Sequence, residues 1–98
     1  MTQTINKADL ERVVTMLNDL MGFGQEQYIR NSEGKLEGQP NVYHLDNAYG
    51  GYKLAQMCSD GRGSRNVLNV AFESKRLCHA QMVAYANGIR DVKERFGA

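Results

Sequence analysis

The sequence predicts an α+β fold in the order α-β-β-β-α, a three-stranded antiparallel sheet packed against two helices. Apolar residues recur at helical spacing over Lys7–Met21, short β-prone pieces alternate with turn residues from there to Asp60, and a second helical stripe follows Ser74. A strand over 67–72 would make the sheet four-stranded.

The first helix rests on Leu10, Val13, Val14, Leu17, Leu20 and Met21, with Glu11, Arg12, Asn18 and Asp19 between them. Asn6 is placed to cap it and Asp9 sits near the positive end of its dipole. Gly22 followed by Phe23 predicts a left-handed stop whose next side chain folds back onto the helix.

Three strands are expected over 25–30, 42–46 and 51–58. The stretch 31–35 has turn chemistry, and Pro40 suits a strand entrance. Asn47, Ala48, Tyr49, Gly50 and Gly51 join the second and third strands in a hairpin, with the two glycines available for positive φ. Alternation puts Tyr43 with Leu45 on one face and Tyr52 with Leu54 on one face. The segment 59–64 reads as a loop, and 67–72 as either a fourth strand or a connector that plugs the core.

Ser74 is a good N-cap for the second helix, where Leu77, Cys78, Met82, Tyr85 and Ile89 make the apolar stripe. Asn87-Gly88 either ends that helix or is passed over, because Asp91 and Arg95 have ion-pair spacing further on.

With 42% hydrophobic and 23% charged side chains in 98 residues, the composition is that of a folded chain, and residues 1–98 are expected to form a single α+β domain. Residues 1–10 contain no apolar run of the signal-peptide kind and no later stretch has the length and apolarity of a membrane span, so a cytoplasmic protein is expected, with its two cysteines as free thiols.

The chemistry legible in the residues favours binding. Cys58, Cys78, His79 and His44 lack the close pairs of a structural zinc site, and neither Gly50-Gly51 nor Gly61-Arg62-Gly63 has the spacing of a phosphate-binding fingerprint, so no metal, cofactor or catalytic group is assigned. Asp46 and Asp60 read as turn formers rather than an acid–base pair.

Two surfaces stand out. The first is the hairpin tip of Tyr49, Gly50, Gly51 and Tyr52: Tyr49 is the freest of the nearby tyrosines, suited to protein contact or base stacking if exposed, or to closing the hairpin end if folded in. The second is basic. Residues 1–61 carry five basic and eight acidic side chains, residues 62–98 seven basic and three acidic, a split from −3 to +4. Arg62 and Arg65 in the loop, with Lys75 and Arg76 in the first turn of the second helix, form a candidate phosphate site. Solvated side chains, with Lys75 and Arg76 paired to Glu73, are the plainer alternative.

The run from Asn41 to Leu54, with Tyr43-His44-Leu45-Asp46 and Ala48-Tyr49-Gly50-Gly51-Tyr52, followed later by Ser74-Lys75-Arg76-Leu77, resembles a group of small uncharacterised phage and prophage proteins. That resemblance implies a mobile-element origin and no mechanism. The order α-β-β-β-α, with Gly61-Arg62-Gly63-Ser64 and Ser74-Lys75-Arg76, also resembles the double-stranded-RNA-binding domain, although roughly ten residues separate pieces that the family keeps contiguous. The expectation is a non-catalytic module that binds a host or phage protein; the alternative is a nucleic-acid-binding protein. Self-association through an edge strand or an extended C-terminal helix stays open.

Overall fold

The computed structural model describes residues 4–68 and 72–96. Helix α1 (Lys7–Met21) has the predicted bounds, and both ends are set by local chemistry. Asn6 and Asp9 form a reciprocal capping box: Asn6 Oδ1 accepts the N–H of Asp9 at 3.0 Å, and Asp9 Oδ2 accepts the N–H of Asn6 at 2.9 Å. Gly22 adopts φ 74° and closes the helix, and Phe23, whose N–H reaches the carbonyl of Asn18 at 2.8 Å, packs against the core.

Five strands follow: β1 (Tyr28–Arg30), β2 (Leu36–Gly38), β3 (Tyr43–Ala48), β4 (Gly51–Met57) and β5 (Ser64–Asn66). They make two antiparallel sheets, β1-β2 and β3-β4-β5. The α+β class and the three-stranded sheet against two helices are therefore present, but the order is α-β-β-β-β-β-α and the sheet's membership differs from expectation. The first expected strand pairs with β2 in a separate hairpin, and the outer place beside β4 is taken by β5. The predicted loop 59–64 thus ends one residue inside a strand. Of the segment 67–72, residues 69–71 lie outside those described; Glu73 makes an isolated antiparallel bridge to Tyr52.

Helix α2 (Lys75–Phe96) begins where Ser74 Oγ accepts the N–H of Leu77 at 3.3 Å, and it runs through Asn87-Gly88 to the Asp91–Arg95 ion pair at 3.1 Å. It lies parallel to α1, as its tethers show: Arg90 meets Met16 Sδ, and Lys93 Nζ donates to the carbonyl of Leu20. α1 covers β3 and α2 covers β4. Between these two layers Leu10, Val13, Leu17, Tyr43, Leu54, Cys78, Met82 and Ala86 are buried. Leu77, expected in this stripe, is instead 45% exposed.

One polar residue ties helix to sheet. Asn18 is fully buried; its Oδ1 accepts the N–H of Tyr43 at 2.8 Å and its Nδ2 donates to the Tyr43 carbonyl at 3.1 Å. The amide thereby satisfies both backbone groups of the first residue of β3, which would otherwise be buried unpaired at a cost of about 1–3 kcal/mol each.

Candidate binding surface

The β3-β4 hairpin is held by a continuous register from Tyr43↔Gln56 to Ala48↔Gly51, which leaves Tyr49 and Gly50 as a two-residue loop. Both have positive φ, 54° and 74°, as a type I′ turn requires. The pair in left-handed backbone is thus Tyr49-Gly50, where the sequence reading had offered Gly50-Gly51. Gly51 meets a different demand: a Cβ there would sit 2.9 Å from Phe72 Cβ and 3.1 Å from the Glu73 carbonyl oxygen. Its bareness lets the segment before α2 lie against the base of the hairpin, where Tyr52 and Glu73 exchange backbone hydrogen bonds at 2.7 and 2.8 Å.

Tyr49 is out of place by the ordinary rules of turns. Left-handed backbone costs a residue with a Cβ about 1–2 kcal/mol, and Asn, Asp or Gly normally stands at this position. Tyr49 is also 98% exposed, so burial does not offset that cost. Tyr52 is half-buried against the core and Tyr43 is buried, donating to or accepting from Tyr85 across 2.9 Å between hydroxyls. Burial and that hydrogen bond push the Tyr43 phenol well above its ordinary range.

Phe72, expected at the end of a fourth strand or of a connector that plugs the core, stands beside the tip. Its ring meets Tyr49 edge-on with centroids 6.1 Å apart, and Lys53 Nζ lies 4.3 Å from its centroid. The result is an aromatic pair with a cation over one ring. The signal for it was the bridge partner Glu73, whose position opposite Tyr52 could not be read before the sheet was known.

The four candidate basic residues do not form one patch. Arg65 lies opposite Gln56 on β4 and donates to its Oε1, whereas Lys75 and Arg76 follow Glu73, which is bridged to Tyr52. Four residues of strand, about 13 Å, separate those two points on β4. Arg62 lies beyond the far end, in a turn whose N–H is accepted by Asp60 Oδ1 at 2.8 Å. Arg90, Lys93 and Arg95 are engaged within the helical layer. The geometry therefore splits the basic set, leaving Lys75 and Arg76, both exposed, at the same end of β4 as Tyr49.

Among the described residues no group of three or more His, Cys, Asp or Glu side chains comes together to hold a metal. Cys78 is buried, and burial raises its thiol pKa, the state of a packed rather than a nucleophilic cysteine. His44 has its Nε2 buried without a hydrogen-bond partner, and this desolvation lowers its pKa against a weaker opposing pull from Asp46. No described helix is long and apolar enough to cross a membrane. No known protein family, curated protein or solved structure matches the chain.

Proposed function

We propose that this chain is a non-catalytic interaction module of phage or prophage type, acting in the cytoplasm, that docks a host or phage protein with the β3-β4 tip. The observation that supports this reading is Tyr49: a bulky residue held at φ 54° with 98% of its surface in solvent. Strained residues of this kind persist where the surrounding structure over-determines them, and they concentrate at ligand-binding positions. Tyrosine is also a frequent binding hot spot, because it supplies a large rigid contact area with few rotors to immobilise. Phe72 stands beside it with Lys53 over its ring, and the exposed cations Lys75 and Arg76 lie at the same end of β4, so the complementary surface on the partner is an apolar socket with acidic residues at its rim.

Placing a photo-reactive phenylalanine analogue at Tyr49 and irradiating cells that carry the mobile element tests this. The expected result is one dominant protein adduct that is absent when the same analogue replaces Tyr28. Adducts spread over many proteins, or equal labelling from both positions, would refute the reading. In parallel, fluorescence titration against duplex RNA, duplex DNA and single-stranded DNA at low and physiological salt is expected to show no binding. Salt-sensitive binding lost on reversing Lys75 and Arg76 would put nucleic acid in the protein's place.

A further inference from the structure

The sheet β3-β4-β5 carries apolar residues on both faces. Tyr43, Leu45 and Leu54 lie on the face covered by the helices, whereas Val42, Ala55 and Met57, which alternate with them along the strands, lie on the other. Those three are 3%, 3% and 1% exposed, yet they form no part of the helical core.

Cover for Met57 comes from the base of the β1-β2 ribbon, where a Cβ on Gly38 would stand 3.0 Å from Met57 Cε. Two backbones touch at the same place. A Cβ on Gly38 would overlap the carbonyl oxygen of Gly61, and a Cβ on Gly61 would overlap that of Gly38, so glycine at both positions is what lets the ribbon close on the β4-β5 turn. Beyond that contact the two stand apart, leaving a cleft of about 540 Å³ with Tyr28 and Leu36 on one wall and Asp60 and Arg62 on the other.

The ribbon is otherwise self-contained. Among the described residues the hydrogen bonds of 26–40 close within it, from the Gln39 N–H to the Gln27 carbonyl at its base (2.9 Å) to the Asn31 turn at its tip. The extensive packing between elements runs between α1 and α2, from each helix to the larger sheet, and within that sheet; the ribbon takes no part in it. Its two ends, in contrast, are pinned. Gln25 Nε2 donates to the Thr15 carbonyl at 3.2 Å and to Asp19 Oδ1 at 2.9 Å. Asn41, at φ 68°, donates its N–H to the Met57 carbonyl at 3.2 Å, and its own carbonyl accepts from Gln56 Nε2 at 2.9 Å.

We infer that residues 26–40 form a lid that swings on Gln25 and Asn41, with the Gly38–Gly61 contact as its seal, and that it opens over Met57 while the helical core stays folded. An element held by few buried contacts opens at a smaller free energy than the whole domain. Met57 and Met82 are buried alike, at 1% and 0% exposure, but Met57 lies under the ribbon and Met82 in the core between helices and sheet. The lid sits at the end of β4 away from Tyr49, so it does not rest on the docking role proposed for the tip.

Dilute hydrogen peroxide under native conditions reads both thioethers in one sample, as methionine sulfoxide located by peptide mass spectrometry. In the parent protein Met57 is expected to oxidise roughly tenfold faster than Met82 or more, at a rate nearly independent of low urea, whereas Met82 oxidation rises steeply with urea. Gly38→Ala, whose Cβ props the ribbon off Gly61, is expected to speed Met57 oxidation roughly tenfold further and to leave Met82 near its parent rate. Oxidation of the two methionines in step, with the same urea dependence, overturns the inference, because both would then report global unfolding. So does a folded Gly38→Ala that oxidises Met57 at the parent rate, or one that speeds both methionines by the same factor. If Gly38→Ala fails to fold, the comparison within the parent protein decides.

Discussion

The two hairpins of this protein are built on opposite principles. β1-β2 has favourable local chemistry: Asn31 Oδ1 accepts the N–H groups of Glu33 and Lys35 at 2.9 and 3.1 Å, and Gly34 takes positive φ without a side chain to strain. Yet its strands are three residues each, and Tyr28, Ile29 and Leu36 remain exposed. β3-β4 has an unfavourable turn residue in Tyr49 and a strand, β4, whose residues 54–57 are all buried. A two-stranded ribbon without a covered face is marginal on its own, whereas a strand packed beneath a helix tolerates a strained turn because burial far outweighs it. Turn quality and stability are thus uncoupled, and the hairpin with surplus packing is the one free to carry an awkward residue at its tip.

Truncating one leucine in each hairpin gives the largest test of that difference. Leu54→Ala, at a position 1% exposed, is expected to lower unfolding free energy by about 2–5 kcal/mol. Leu36→Ala, 62% exposed, is expected to change it by less than about 0.5 kcal/mol. Urea denaturation followed by circular dichroism measures both, and similar losses would erase the distinction.

A smaller effect is one of pH. Burial holds the His44 imidazole neutral and lowers its pKa below the ordinary 6.5. The unfolded chain therefore binds a proton more readily than the folded one over the interval below that value. Stability is expected to be full above pH 6.5 and to decline as pH falls through the interval, levelling off once the folded imidazole is itself protonated. Its size is read as the slope of urea midpoint against pH, and His44→Phe should flatten that slope; an unchanged slope in the variant would assign it elsewhere.

How much of this was legible in the sequence follows from where each signal resides. α1 was legible to the residue because its ends are written locally, in Asn6, Asp9 and Gly22. β3 and β4 were legible as β-prone pieces between turn residues, and Tyr49 as the freest tyrosine from its place at the tip. β5 was not, since Ser64, Arg65 and Asn66 have no strand pattern; they are extended because the open edge of β4 pairs with them. β2 has one apolar residue in three, and pairs because the Asn31 turn returns it to β1. Asn18 lies four residues from Val14 and eight from Leu10, a helical spacing that placed it near the core; its polarity hid a role that only the backbone of Tyr43 reveals. The candidate surface divides in the same way: Tyr49 could be read, while the company of Phe72 and the separation of Arg62 and Arg65 from Lys75 and Arg76 depend on the register along β4.

The smallest expected change bears most directly on the central claim, that Tyr49 is kept at the tip against the preference of the fold. Tyr49→Asn supplies the Asn-Gly pair that a type I′ turn favours and keeps the register of β3 and β4 unchanged. The measurement is the urea midpoint of this variant against the parent protein. A gain of about 1 kcal/mol is expected, as left-handed strain is relieved and an exposed ring is removed. A loss of similar size would show that the ring stabilises the fold through Phe72, and would contradict the account of the tip as a surface held ready for a partner.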